Sequence, residues 1–262
     1  MGLAALAAAL GLAFLDPRLA ALPLLLFVLA CLAAPMFPTS SFHFPIVCRG
    51  QRGSEGVALT FDDGPDPQVT PQVLDLLDRH DAKAAFFVIG AKAERHPELV
   101  RAILERGHQV GNHSHTHPPL LMLQGRRAIA REVDAGQAAL AALGAAPLAF
   151  RPPVGVSHPE LGRILLERNL FCLNFSCRAG DLGNRRVAGI ARRLLAKVRP
   201  GDIILLHDRA PQRASVAELL DQFEQLLAGL RRRGLAVQPL PALLGRPVMA
   251  ATAPRNPGDP TA

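Results

Sequence analysis

Five polar clusters interrupt a chain that is 49% apolar. In Thr60-Phe61-Asp62-Asp63-Gly64-Pro65, two adjacent carboxylates close an apolar run. Neighbouring side chains of a strand point to opposite faces, so both acids reach one site only if the pleat breaks, and Gly64-Pro65 supplies a break. In Gly111-Asn112-His113-Ser114-His115-Thr116-His117-Pro118, His113 and His117 lie four apart, and one turn of helix would put both imidazoles on one side. Two neutral imidazoles and one carboxylate make a metal site that keeps a position for water. Phe150-Arg151-Pro152-Pro153-Val154-Gly155 stiffens its backbone with two prolines beside an Arg able to grip a carboxylate. The remaining clusters are Asn174-Phe175-Ser176-Cys177-Arg178-Ala179-Gly180-Asp181 and Gly201-Asp202-Ile203-Ile204-Leu205-Leu206-His207-Asp208. A His at the end of a buried run beside a carboxylate such as Asp181 is kept protonated and can act as a general acid. Asp208 is the other candidate partner, or a cap for the loop that follows.

Taken singly, each cluster has a plainer reading. Asp-Asp-Gly-Pro turns are common because these residues favour turns. An Arg beside two prolines is an exposed residue of a rigid loop, and His80 and His108 read as surface histidines.

The elements that must position these residues follow from periodicity. From residue 57 onward, short apolar runs alternate with longer stretches of helical period, which predicts β/α units and a largely parallel sheet. The predicted strands are Val57–Phe61, Ala84–Ile89, Gln109–Asn112, Leu148–Phe150, Leu170–Phe175, Ile203–Leu206 and Leu235–Val237. Helices are predicted near 70–79, 96–106, 125–143, 159–168, 186–198 and 214–233. Pro71 and Pro97 fall at first turns, and Gly107 and Gly234 just past helix ends. Seven such strands can close into a barrel or stay an open, doubly wound sheet. Each polar cluster begins where a strand ends, and that carboxyl-end face is where β/α barrels gather catalytic residues.

Composition narrows the partners. The net charge is +7, but the arginines are spread through helical stretches, and there is no Trp or Tyr among them to stack on bases. Nucleic-acid binding is therefore not expected, nor does any feature predict a protein partner. Cys31, Cys48, Cys172 and Cys177 lack the spacing of a disulfide framework or a cysteine metal site. Residues 1–15 and 19–37 carry no charge and flank Asp16-Pro17-Arg18. This pattern predicts a membrane anchor, one or two transmembrane helices in a hairpin, the first stretch being short against the ~17–25 residues a span needs. No basic n-region marks a cleaved signal peptide. The expected organisation is an anchor over 1–37, a linker over 38–56, a catalytic domain over 57–245 and a disordered tail over 246–262.

Taken in order, the five clusters resemble the polysaccharide deacetylases of the NodB homology family, also called carbohydrate esterase family 4, from about Val57 to Leu243. The resemblance implies an irregular (β/α)7-8 barrel. It implies that Asp63, His113 and His117 bind a divalent metal, usually Zn2+, with Co2+ or Ni2+ as alternatives. It further implies that Asp62 is the base, held by Arg151, that the backbone N–H of Val154 faces the oxyanion, and that His207, beside Asp181, protonates the leaving amine. Val154 stands where the family commonly has Tyr, Arg178 where it has Asp, and Leu182 where it has an aromatic residue, so the sugar-binding walls differ. An Arg at 178 after two apolar stretches resembles a membrane-attached bacterial branch.

The expected activity is N-deacetylation of an amino sugar in a glycan or oligosaccharide, at the periplasmic or outer face of a bacterial cytoplasmic membrane. Deformylation or deacetylation of a lipid-linked amino sugar, O-acetyl ester hydrolysis and glycan binding by a decayed site are the alternatives. A decayed site loses ligands first, and Asp62, Asp63, His113, His117 and His207 are all present.

Overall fold

In the computed structural model of the chain, residues 2–250 are described. The chain begins with two apolar helices, α1 (Gly2–Ala13) and α2 (Ala21–Ala33), which pack on each other, followed by strand β1 (Ile46–Val47). Then come β2 (Ala58–Asp62), α3 (Thr70–Arg79), β3 (Ala84–Val88), α4 (Gly90–Arg95), α5 (Pro97–Glu105), β4 (Gln109–Asn112), α6 (Arg126–Ala141) and β5 (Ala149–Phe150). The last part comprises α7 (Leu161–Leu166), β6 (Phe171–Leu173), β7 (Cys177–Arg178), α8 (Ile190–Leu195), β8 (Ile203–His207), α9 (Val216–Arg232) and α10 (Leu240–Leu244).

The strands form one parallel sheet in the order β1-β6-β5-β4-β3-β2-β8-β7. Their alternation sorts side chains onto two faces. Leu59 and Phe61 of β2, with Phe86 and Val88 of β3, face the helical shell and pack with Leu77, Phe223 and Leu226. Ala58, Phe87, Leu173 and Leu205 line the other face and meet Leu240, Leu243 and Val248. Thr60 and Asp62 share the register of Ala58, so β2 delivers them to this second face, where α10 and the segment after it close the amino end.

The sheet is a curled parallel half-barrel, consistent with the irregular barrel the family resemblance implies. Its ladder stops at β1 and β7, and the seam is crossed by the Arg49–Asp202 bridge and a 2.9 Å ion pair between these residues. The predicted strand at 235–237 is reduced to a single bridge between Val57 and Val237, while β1 and β7, each two residues long, were not predicted. Residues 248–250 of the tail expected from 246 are held against the domain. Val248 is buried, its carbonyl accepts from Leu148 N at 2.8 Å, and Ala250 N donates to Ala146 O at 2.9 Å. The rest of that tail, 251–262, lies outside the described residues.

The predicted transmembrane helices are also altered. Among the described residues, no helix is long and apolar enough to cross a membrane. α1 has 12 residues and α2 has 13, which at 1.5 Å per residue gives roughly 20 Å against the ~30 Å of a hydrocarbon core. The chain turns at Asp16, whose carboxylate accepts from Arg18 N at 2.8 Å, and α2 tightens into a 3-10 turn at Pro35.

Candidate active site

The pleat of β2 breaks at Asp63 itself, which takes a left-handed conformation (φ 71°) immediately before Gly64-Pro65. Asp62 therefore stays in the strand and Asp63 swings to the same side. The local backbone leaves room for nothing larger than Gly at 64, where a Cβ would fall 2.1 Å from an Asp208 carboxylate oxygen. Two further groups fix the turn from outside: Lys92 Nζ donates to Asp63 O at 2.6 Å, and Arg209 Nη1 donates to Asp63 Oδ2 at 3.1 Å. Neither residue was found from the sequence, since each looks like an ordinary surface cation until α4 and the end of β8 bring it in.

His113 and His117 do not share a helical turn. They sit on a loop after β4 in which Ser114 (φ 65°) and His117 (φ 53°) are both left-handed. Short side-chain bonds replace helical ones: Ser114 N donates to Asn112 Oδ1 at 2.8 Å, and His117 N donates to Ser114 Oγ at 3.1 Å. Glu132 on α6 accepts from His115 N at 3.0 Å and from Thr116 N at 2.8 Å. Gly111 precedes this loop because the Phe87 ring would lie 2.4 Å from a Cβ there.

The result is convergence. His117 Nε2 is 3.2 Å and His113 Nε2 3.6 Å from Asp63 Oδ1, and one ligand atom from each of the three residues lies within 4.8 Å of the others. His113 Nδ1 lies 2.8 Å from the carbonyl of Arg151. A carbonyl only accepts, so Nδ1 carries a proton and Nε2 is the ring nitrogen that faces the cluster. Burial pushes the Asp63 carboxyl up, but the hydrogen bond from His113 and the charges of His113, His207 and His117 outweigh it and hold the group far below the usual carboxylate range. Burial and the neighbouring His113 push His117 down to about 4, so it stays neutral at ordinary pH. Burial opposes protonation of His113 too, yet Asp62 and Asp63 raise it. An anionic carboxylate with two imidazoles is the donor set that zinc-type ions take.

Asp62 is set apart by Arg151. Nη1 of Arg151 donates to Asp62 Oδ1 at 2.6 Å and to Thr60 Oγ1 at 2.9 Å, while Nε and Nη2 donate to the carbonyls of Leu173 and Asn174 at 3.1 Å each. Its guanidinium lies 3.9 Å from the Phe87 ring centroid and is fully buried. Asp62 Oδ2 is left to face the histidines, 3.8 Å from His113 Nε2. On the next strand, His207 is the direct register partner of Asp62. His207 Nδ1 donates to Asp181 Oδ2 at 2.7 Å, which turns Nε2 outward. Burial works against the imidazolium, but the bond and charge of Asp181, with Asp63 and Asp62 behind, raise the His207 pKa. Asp181 moves the other way: burial raises it, and its bond to His207 brings it below the ordinary range. Asn184 completes the unit, donating from N to Asp181 Oδ2 at 3.0 Å and from Nδ2 to the His207 carbonyl at 2.9 Å.

Val154 sits left-handed (φ 55°) at the mouth, and neither backbone bond of its turn, Gly155 N to Pro152 O nor Val156 N to Pro153 O, uses its N–H. Asp208 is fully enclosed, accepts from Thr70 Oγ1 at 2.7 Å, and is pushed by burial up to about 7. It supports the turn from beneath and is not a partner of His207. His108 is buried against β3, where its Nδ1 accepts from Ala84 N at 3.2 Å, and burial lowers it to about 4. It is a core histidine, contrary to the surface reading. His80 lies 2.6 Å from Glu224 Oε1, away from the site. Cys31, Cys48, Cys172 and Cys177 are all free.

The geometry suits a metal-dependent hydrolase, and the chain has relatives among deacetylases. Residues 49–168 match the polysaccharide deacetylase family model. A chitooligosaccharide deacetylase of Sinorhizobium fredii is 38% identical over 204 residues, covering 74% of this chain and 94% of that protein. A peptidoglycan-N-acetylglucosamine deacetylase of Bacillus cereus is 33% identical over 180 residues, covering 68% of this chain and 83% of that protein. The solved Bc1960 peptidoglycan N-acetylglucosamine deacetylase superposes with a TM-score of 0.71 at 28% identity, covering 78% of this chain and 95% of that one. A family 4 carbohydrate esterase from Streptomyces lividans gives 0.63 at 28% identity, covering 79% and 99%. The chain belongs to the polysaccharide deacetylase family.

Proposed function

We propose that the protein is a metal-dependent N-deacetylase that removes N-acetyl groups from amino sugars of a glycan or oligosaccharide. The observation that carries this reading is the pairing of Asp62 with His207 across β2 and β8, directly beside the Asp63–His113–His117 cluster. An amide needs its carbonyl polarised, a strong nucleophile at neutral pH and a proton for the departing nitrogen. A divalent ion held by Asp63, His113 and His117, Zn2+ first and Co2+ or Ni2+ next, supplies Lewis acidity and eases the deprotonation of water. The protein's own groups do the rest. Asp62, its Oδ1 tied to Arg151, offers Oδ2 to take the proton of the attacking water. His207, charged through Asp181, offers Nε2–H to the leaving nitrogen. The backbone N–H of Val154 faces the carbonyl oxygen as it becomes negative. Two groups of opposite protonation state on neighbouring strands are what acid–base catalysis at one pH requires.

The relatives' substrates, chitooligosaccharides and peptidoglycan N-acetylglucosamine, support a substrate of the same class here. The apolar helices α1 and α2 support attachment to a bacterial cytoplasmic membrane, and an envelope-glycan substrate would place the site on its periplasmic or outer face. The experiment is acetate release from N-acetylglucosamine oligomers by metal-loaded protein. Asp62→Asn should keep its metal and lose activity by about 100-fold or more. Full activity in that variant would remove Asp62 as the base.

A further inference from the structure

The polar site is ringed by side chains that do not suit water. Leu120, Leu123, Val154 and Leu182 are 59–75% exposed, and they lie on the loops that follow β4, β5 and β7. In a parallel sheet all of these loops are on the carboxyl-end face, the face that carries the metal cluster. The apolar hairpin is rooted on the same face. Ser157 N donates to Pro35 O at 3.0 Å, Asn174 Nδ2 donates to Pro38 O at 2.7 Å, and Pro38 lies over Gly155 in the Val154 loop.

Two observations identify what covers this face. First, α1 and α2 are apolar on every side, with only Ala9 of their residues buried, and Leu10, Leu25 and Leu29 each about half exposed. A protein groove covers one face of a helix, whereas hydrocarbon covers all of them. Second, exposed arginines lie close in sequence to the exposed leucines: Arg127 in the first turn of α6 after Leu123, Arg178 at the end of β7 before Leu182, and Arg185 and Arg186 just beyond it. Apolar side chains beside cations match the acyl boundary and anionic headgroups of a bilayer.

We propose that the carboxyl-end face is a membrane-facing surface. The hairpin dips into the hydrocarbon without crossing it, and the leucine rim rests at the interface. The metal site thus opens toward the lipid surface and takes N-acetylated amino sugars carried on a lipid. This rests on the deacetylase reading for the chemistry, though the surface itself stands on geometry alone.

The chain contains no Trp or Tyr, so single Trp substitutions report without background. Leu123→Trp places the reporter on the rim, and Leu166→Trp places it at the end of α7 that leads into β6, on the opposite face at equal exposure of 75%. The full-length variants are mixed with phosphatidylethanolamine–phosphatidylglycerol vesicles whose acyl chains are brominated. Quenching at position 123 and none at 166 is the expected result. Quenching at both, at neither, or at 166 alone overturns the proposed surface. In parallel, acetate release is compared between a soluble N-acetylglucosamine oligomer and the same sugar on a lipid anchor in vesicles. Confinement to the surface should favour the lipid-borne sugar by about tenfold or more in kcat/KM. Equal rates on the two overturn the lipid-borne substrate. Release from neither, with quenching still confined to 123, supports the surface and sinks the deacetylase reading instead.

Discussion

Arg209 Nη1 holds Asp63 Oδ2 at 3.1 Å, while Asp63 Oδ1 faces His117 Nε2 at 3.2 Å. One carboxylate thus divides its oxygens between a cation of the protein and the place of a metal. Partners that orient a metal ligand are worth 10- to 100-fold in affinity. Arg209→Ala should therefore weaken Zn2+ binding by about tenfold, with Arg209→Lys recovering part of it. Competition titration against a chromophoric chelator measures this without any assay of turnover.

Arg151 has its guanidinium nitrogens on Asp62, Thr60 and two carbonyls, in full burial. Deleting one partner of a buried ion pair strands the other charge, at about 3–5 kcal/mol. Arg151→Ala should lower the urea midpoint accordingly and abolish activity. A midpoint equal to wild type would mean that Asp62 does not depend on this cation.

The acid limb of the chemistry has a definite pH sign. His207 is raised and Asp181 lowered by their mutual bond. Activity that needs protonated His207 should fall as pH rises through its raised pKa. Asp181→Asn removes the charge that raises it, so the basic limb of the kcat/KM profile should move to lower pH. The pair's contribution to stability is present between the unfolded values of about 3.9 and about 6.5. It is lost below that window as Asp181 protonates at its lowered pKa, and above it as His207 deprotonates at its raised one. A basic limb unmoved in Asp181→Asn would separate His207 from proton donation.

Asp208 sets a second pH dependence, one of stability alone. Burial raises its pKa to about 7, so the folded chain holds this proton more tightly than the unfolded chain does. Stability should then decline as pH climbs from about 3.9, the unfolded value, toward 7. Asp208→Asn should flatten that decline in chemical denaturation series at pH 5 and pH 8, and Gly64→Ala, which drives a methyl against this carboxyl, should destabilise at both.

Much of this site was legible in the sequence because its residues end strands. Asp62, His113, Arg151 and His207 each follow an apolar run whose period fixes both strand and face. What stayed hidden depends on geometry beyond periodicity. The His113–His117 spacing suggests a helical turn, but a loop with two left-handed residues and Glu132 behind it achieves the same convergence. Lys92 and Arg209 carry no signal in one dimension, since only the packing of α4 and the loop after β8 turns them inward. The strands β1 and β7, two residues each, are too short for an alternating pattern, so the place where the ladder ends carried no signal. His108 looked like a surface residue because a lone His between Gly107 and Gln109 gives no hint that Ala84 N needs an acceptor.

The pairing of β2 with β8 joins residues 58–62 to residues 203–207. A ribosome releases Asp62, His113, His117 and Arg151 long before it releases the strand that pairs with β2. Until then β2 has one bare edge, a template for mispairing, and Asp62 lacks its opposite number. A nascent chain therefore cannot bring Asp62 and His207 together until β8 has been made, about four-fifths of the way along the sequence.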